Sequence, residues 1–248
     1  MIMYGLACLL AAVAAGLPQE GLTVSAAISL TESLEEVARG YQAAGQGPVR
    51  FNFGGSNMLA RQIVNGAPVD LFISADASQM DVASGAIDGR SRIDLLGNRL
   101  AVLMPPDGGP LEDARALLRP GIRRIAIGDP AAVPAGVYAR QYLQAVGIWD
   151  ALRPKLVPVA HVRAAVAAVE NGSADAALAY ETDAAGSKRA RAVLVIAGAG
   201  APRIVYPAAI VSATRNRAAA ERFLAFLRGP EASAIFSRHG FSPLAALH

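Results

Sequence analysis

The chain has 248 residues, of which 53% are hydrophobic and 17% charged, so it can bury a sizeable core and is not a disordered chain. Its net charge of +3 arises from 23 Lys and Arg that are scattered singly or in pairs, and only 6% of its residues are aromatic. Nucleic-acid binding requires a clustered basic surface and stacking side chains. We therefore expect that this chain does not bind nucleic acid.

The first nineteen residues carry no charge, and the apolar run "GLACLLAAVAAGL" at 5–17 is too short to span a bilayer comfortably. An apolar run that ends in small residues is typical of a secretory signal peptide, which we expect to cover residues 1–20. A buried or fraying N-terminal helix is the alternative, because residues 1–4 lack the usual Lys or Arg. Cys8 is the only cysteine and lies inside this run, so an exported mature chain would contain none.

Strand-like and helix-like patterns alternate along the rest of the chain, as in the helical spacing of Leu34, Val37 and Tyr41. The predicted strands cover 22–27, 49–53, 69–74, 99–106, 122–130 (with a closing turn), 155–160, 174–180 and 203–213. The predicted helices cover 30–45, 57–66, 135–149, 162–172, 217–229 and 231–240. This alternation with short loops predicts a doubly wound α/β architecture with mostly parallel sheets.

A division into two domains would require ordered strands that cross between them. The segments "RLAVLMPP" (99–106) and "RIVYPAAIVSA" (203–213) are the two candidates. Pro207 lies inside the second segment and cannot donate a ladder hydrogen bond, which predicts an edge or crossover position.

The usual catalytic and cofactor motifs are missing. The sequence contains no G-x-S-x-G elbow, no Walker loop and no G-x-G-x-x-G after a strand. His161, His239 and His248 are its only histidines, and none has metal-ligand spacing with another. We therefore expect no enzyme activity, no cofactor and no direct metal ligand; an exported α/β hydrolase stays as an alternative without a recognisable nucleophile.

Small neutral residues form the first two strand-to-helix turns. Ser29 has Glu32 three residues later, a capping-box pattern, and Ser56 follows two glycines at a second helix start. Taken alone, each serine is a helix N-cap. A serine hydroxyl has one donor and two acceptor lone pairs, so each serine could also donate to a ligand.

Two further turns have the same neutral character. Pro134 precedes Ala135 and Gly136 at a helix start, where small residues leave backbone N–H groups uncovered. His161 and Val162 open the helix after the strand at 155–160, and we interpret His161 as a partly exposed histidine of the helix cap. A helix N-terminus carries roughly half a positive charge, so four of them aimed at one point would match a dianion without Lys or Arg.

These stretches resemble the periplasmic molybdate-binding proteins of ABC importers over nearly the whole mature length. The run "GAPVDLFISAD" at 66–76 is the strongest marker of the resemblance. The other specific stretches are "FGGSNMLARQIVN" from 53, "IGDPAAVPAGVYARQYL" from 127, "VRAAVAAVENGSADAALAYETDA" from 162 and "AERFLAFLRGPEASAIFSRHGF" from 220.

The resemblance implies a site made only of neutral donors. A tetrahedral oxyanion, molybdate or tungstate, would be held by the hydroxyls and amides of Ser29 and Ser56, the backbone N–H groups of Ala135 and Val162, and the Tyr180 hydroxyl. Molybdenum would be bound as the oxyanion, with no direct metal ligand and no cofactor. Two departures are Glu32, which places a carboxylate close behind Ser29, and Gly55, where the family often has serine.

The resemblance also implies a two-lobed clamshell of the type II periplasmic-binding-protein class, with two crossover strands. Lobe I would comprise 21–102 and 207–248, and lobe II would comprise 103–206. The implied protein is a periplasmic monomer that captures its anion between the lobes and delivers it to a membrane permease. A receptor for sulfate, phosphate or an organic acid, an exported hydrolase and a cytoplasmic effector-binding domain are the alternatives.

Overall fold

The computed structural model describes residues 21–244, so the predicted leader and Cys8 lie outside the described residues. The described strands are β1 (Leu22–Ala27), β2 (Val49–Gly54), β3 (Leu71–Ile73), β4 (Ile93–Asn98), β5 (Leu100–Met104), β6 (Ile125–Gly128), β7 (Leu156–Val159), β8 (Ala176–Tyr180), β9 (Arg191–Val195), β10 (Ile204–Ile210) and β11 (Ser242–Pro243). The described α-helices are α1 (Thr31–Ala43), α2 (Ser56–Val64), α3 (Ala77–Val82), α4 (Pro134–Ala145), α5 (Trp149–Leu152), α6 (Val162–Glu170), α7 (Glu181–Ala185), α8 (Arg217–Leu227) and α9 (Pro230–Arg238).

The strands form two sheets, which confirms the predicted α/β class. The first sheet has the order β11-β4-β10-β3-β1-β2 and the second the order β7-β6-β8-β5-β9. The expectation of mostly parallel sheets was wrong in detail. β1 is parallel to β2 and β3, and β6 is parallel to β7 and β8, but the other pairs in both sheets are antiparallel. Both sheets are therefore mixed. In the first sheet β10 and β11 run against the other strands, and in the second sheet β5 does so.

The chain passes from the first sheet to the second at Arg99, between β4 and β5, and returns through residues 196–203, between β9 and β10. We call the elements of the first sheet and their helices the first lobe, and those of the second sheet the second lobe. The predicted boundaries after residues 102 and 206 fall within β5 and β10. Each of these strands belongs to one sheet, so we propose to place the lobe boundaries at the two crossings instead.

Pro207 does not lie on an edge strand. β10 follows the second crossing, but it pairs with β3 on one side and β4 on the other. The register against β4 shifts between Tyr206 and Pro207, and such an irregularity accommodates a residue that cannot donate a ladder hydrogen bond. The Pro207 carbonyl still accepts from the Ser74 N–H at 2.9 Å.

The C-terminal helices pack onto the first lobe through one face of α1. The Leu34, Val37 and Tyr41 side chains that predicted this helix are almost fully buried. The Tyr41 ring meets Phe223 and Phe226 of α8 edge to face, with ring centroids 5.0 and 5.2 Å apart. These contacts fix α1, and with it the turn that precedes α1, against the first sheet.

None of the helices between residues 21 and 244 is long and apolar enough to cross a bilayer.

Candidate functional site

The four neutral turns meet at one small cavity between the two lobes, which we call the central cavity. It is small, with about 240 Å³ of space between the atoms, part of which is open to solvent, and so suits an ion of a few atoms. All five predicted site residues line it and are at most 5% exposed: Ser29, Ser56, Ala135, Val162 and Tyr180. The remaining lining residues are Ala27, Ile28, Gly54, Gly55, Ala75, Val133, Pro134 and His161.

Ser29 lies in a single 3-10 turn, Ile28–Leu30, that precedes α1. The prediction of a serine N-cap was wrong here, because Leu30 occupies the N-cap position and Ser29 makes no capping hydrogen bond. Because of this turn, α1 begins two residues after Ser29. Its hydroxyl instead lies 3.1 Å from the Tyr206 hydroxyl.

The hydrogen bonds of Asn98 and Tyr206 indicate which way the Ser29 proton points. The Asn98 Oδ1 accepts from the Arg99 N–H at 2.8 Å, so its Nδ2 faces Thr182 Oγ1 at 2.9 Å and the Tyr206 hydroxyl at 3.2 Å. Tyr206 is fully buried and accepts from Asn98, so its own proton needs an acceptor, which Ser29 provides. The Ser29 hydroxyl is therefore free to donate into the central cavity.

Ser56 is also oriented as a donor. It is the first residue of α2, with Gly55 at the N-cap, so the predicted serine cap was wrong by one residue. Its Oγ accepts from the Ala75 N–H at 3.0 Å, which leaves the hydroxyl proton for a ligand. The first helical bond of α2 runs from the Met58 N–H to the Gly55 carbonyl, so the N–H groups of Ser56 and Asn57 precede the helical ladder.

The start of α4 presents bare amides from the second lobe. Pro134 occupies the first turn, as predicted, and the Val137 N–H makes the first helical bond, to the Val133 carbonyl. The N–H groups of Ala135 and Gly136 have no acceptor within the helix. The helix start lies so close to β6 that a Cβ on Gly136 would be 1.9 Å from the Gly128 carbonyl oxygen. Only glycine allows this approach.

His161 caps α6, which confirms the interpretation of a partly exposed cap histidine. Its Nδ1 accepts from the Ala164 N–H at 3.1 Å, so the Val162 N–H lies ahead of the first capped amide. Burial lowers the pKa of His161, which favours the neutral ring. His161 is also among the residues that line the central cavity.

Tyr180 is the one tyrosine among the described residues that line the central cavity. It is 1% exposed at the end of β8, and its buried hydroxyl has no hydrogen-bond partner among the described residues. Burial raises the pKa of Tyr180 well above its usual range, so the hydroxyl keeps its proton. A buried donor without an acceptor costs free energy, and an anion in the cavity would satisfy it.

No Lys, Arg, Asp or Glu is among the described residues that line the central cavity. Glu32, the departure noted in the sequence, turns to the Arg163 guanidinium of α6 and does not enter the cavity. Between residues 21 and 244, no three His, Cys, Asp or Glu side chains are grouped so that they could hold a metal ion. The site can thus donate many hydrogen bonds but offers no carboxylate and no metal-ligand set.

Two α/β lobes joined by two crossings, with a small cavity of hydrogen-bond donors between them, define a protein that binds a small solute. Residues 22–242 match the family model described as bacterial extracellular solute-binding protein. The chain belongs to this family.

Relatives and solved structures agree with the resemblance seen in the sequence. The molybdate-binding protein ModA of Escherichia coli is 41% identical over 236 residues, which cover 91% of each chain. The structure of the Azotobacter vinelandii periplasmic molybdate-binding protein is 28% identical, covers 89% of this chain and 98% of its own, and has a TM-score of 0.78. A sulfate-binding protein of Mycobacterium tuberculosis shares the fold, with a TM-score of 0.77 at 19% identity over 90% of this chain and 87% of its own.

Other polar residues around the site were missed in the sequence. Asn98 and Tyr206 orient Ser29, while Asp183 accepts from the Tyr180 backbone N–H at 3.0 Å. Asn98 lies immediately before the first crossing and Tyr206 soon after the second. Their position next to the crossover segments is the sequence feature that could have identified them.

Proposed function

We propose that this chain is an extracytoplasmic receptor that binds molybdate, and also tungstate, between its lobes and delivers the anion to the membrane permease of an ABC importer. One observation carries the proposal: the five residues selected in the sequence line a single uncharged cavity between the lobes. The 41% identity to a molybdate-binding relative supports the choice of anion. The same resemblance supports a periplasmic monomer without a resident cofactor or enzymatic activity.

Each proposed ligand residue has a donor for the anion. Ser29 and Ser56 have hydroxyl protons that the protein leaves uncommitted, and Tyr180 has an unpartnered hydroxyl. The amides of Ala135 and Val162 precede the first helical hydrogen bonds of α4 and α6. Four helix starts with roughly half a positive charge each balance a dianion, so the site needs no cationic side chain.

The absence of a carboxylate from the described cavity lining favours a fully deprotonated oxyanion. Hydrogen phosphate carries a P–OH proton at neutral pH, which would find no charged acceptor there. An unsatisfied buried donor costs about 1–3 kcal/mol, so phosphate is expected to bind more weakly than molybdate.

Titration calorimetry with sodium molybdate, tungstate, sulfate and phosphate tests the proposal. We expect one bound molybdate or tungstate per chain, with sulfate and phosphate at least about tenfold weaker, a difference of about 1.4 kcal/mol. Equal or tighter binding of sulfate would make the chain a receptor for that oxyanion. Heat signals from none of the four anions would overturn the oxyanion assignment as a whole.

A further inference from the structure

An ion-paired chain of side chains links the two lobes beside the central cavity. Arg163 lies on α6, directly after the proposed ligand residue Val162, and its side chain is 23% exposed. Its guanidinium pairs with Glu32 of α1, which belongs to the other lobe. On its other side, Arg163 Nε lies 3.4 Å from Oδ1 of Asp183, whose side chain is fully buried.

The chain of contacts ends at a residue of the site. The second oxygen of Asp183 accepts from the Tyr180 backbone N–H at 3.0 Å. Tyr180 in turn lines the central cavity. Arg163 therefore stands between Glu32 in the first lobe and the backbone that carries Tyr180 in the second.

We propose that Arg163 is a positioning residue that couples lobe closure to retention of the anion. Its pair with Glu32 joins elements of different lobes, so opening at the crossings separates the two charges and closure restores the pair. In the closed form, the pair slows reopening, while the contact with Asp183 holds the start of α7 and the Tyr180 backbone in place. The inference rests on the proposed function, because it deepens the account of the same site.

The alternative to this proposal is that Glu32 weakens anion binding. A carboxylate close behind Ser29 repels a dianion, so a Glu32 that acted only through its charge would weaken binding. Neutralising it would then tighten binding, whereas loss of an ion pair that holds the lobes closed would weaken binding. The sign of the change in affinity decides between the two roles.

The test compares Glu32→Gln with Glu35→Gln, an exposed carboxylate on the same helix. Both variants lose one negative charge from α1. Release of radiolabelled molybdate into excess unlabelled molybdate should be about two- to fivefold faster for Glu32→Gln, the range of a partly exposed ion pair, with an unchanged association rate. Glu35→Gln should behave as wild type. Unchanged or slower release from Glu32→Gln would overturn the proposal.

A double-mutant cycle assigns the effect to the pair. In an Arg163→Gln background, which is first checked for cooperative urea unfolding, Glu32→Gln should cause no further acceleration of release. A persistent effect of Glu32→Gln in that background would show that Glu32 acts without Arg163 and would refute the coupling.

A measurement without ligand separates this inference from the proposed function. If wild type bound none of the four anions, the proposed function would fail by itself. Small-angle X-ray scattering of the ligand-free proteins should still give a larger mean radius of gyration for Glu32→Gln than for wild type or Glu35→Gln. Identical scattering from the three ligand-free proteins would refute the proposed role of Arg163.

Discussion

At the scale of single residues, the hydrogen bonds within the protein leave common side chains able to donate hydrogen bonds to an anion. Ser29 and Ser56 are ordinary serines, but protein donors fill an acceptor position on each: Tyr206 for the first and the Ala75 N–H for the second. Their protons are thereby directed into the cavity. Tyr180 differs from the two serines, because its hydroxyl has no hydrogen-bond partner among the described residues. A bound anion would supply the acceptor.

Tyr180→Phe tests the phenolic donor with little change in shape. It should raise the dissociation constant for molybdate about 10- to 150-fold, because a hydrogen bond to a charged partner is worth about 1.5–3 kcal/mol. The ligand-free free energy of unfolding should stay the same or rise, since the lost hydroxyl was unpartnered. Calorimetry and urea unfolding measure the two quantities.

The control for this change is Tyr142→Phe, which removes a hydroxyl from a buried tyrosine of α4 that does not line the central cavity. Its affinity for molybdate should equal that of wild type. Equal affinity of Tyr180→Phe and wild type would remove Tyr180 from the site.

At the scale of secondary-structure elements, the site depends on how closely each helix start approaches the end of a strand. The clearest case is α4 on β6, where Gly136 and Gly128 lie in contact. A side chain at position 136 would push the helix away and move the Ala135 N–H out of the cavity. The glycine thus serves backbone packing and ligand binding together.

Gly136→Ala should lower the free energy of unfolding by about 1–3 kcal/mol, the usual range for an overpacked site, and should weaken molybdate binding. Gly121→Ala is the matched control in the same lobe, because a Cβ at Gly121 meets nothing within 4 Å. It should stay within about 0.5 kcal/mol of wild type. Wild-type stability and affinity in Gly136→Ala would contradict the proposed close approach.

Local signals in the sequence predicted the elements well but not their neighbours. Helical spacing found α1, and glycine, proline and serine punctuation found the starts of α2 and α4. The strands β4, β9 and β11 and the short helices α3 and α7 were missed. The sheets were expected to be mostly parallel, because strand pairing is decided by contacts between distant segments. The serine caps failed for a local reason: a 3-10 turn precedes α1, and Gly55 takes the cap position of α2.

For the whole molecule, the two lobes already contact each other beside the cavity. The Gln79 amide approaches the Ala132 carbonyl at 3.5 Å, and Glu32 pairs with Arg163 across 131 positions of sequence. No single-sequence pattern connects residues so far apart. An anion held by donors from both lobes adds further links and shifts the balance toward the closed form.

The buried Asp183 carboxyl next to Arg163 should make the free energy of unfolding depend on pH. Burial raises the pKa of Asp183 to about 6, although Arg163 nearby lowers it. The folded protein therefore binds more protons than the unfolded chain from about pH 4 to pH 6, and the free energy of unfolding falls as pH rises through this window. The stabilisation is complete below the ordinary carboxyl pKa and is lost above about pH 6.

Asp183→Asn removes this titration while its amide oxygen can still accept from the Tyr180 N–H. The unfolding free energy of wild type minus that of Asp183→Asn, from urea unfolding at pH 4 to 8, should fall by on the order of 3 kcal/mol as pH rises. Asp175→Asn is the control. Burial raises the pKa of Asp175, but hydrogen bonds from the Arg124 and Arg123 N–H groups lower it overall, so the same difference should not fall as pH rises from 4 to 8. A flat or rising difference for Asp183→Asn would show that the carboxyl stays ionised on folding and that Arg163 compensates its burial.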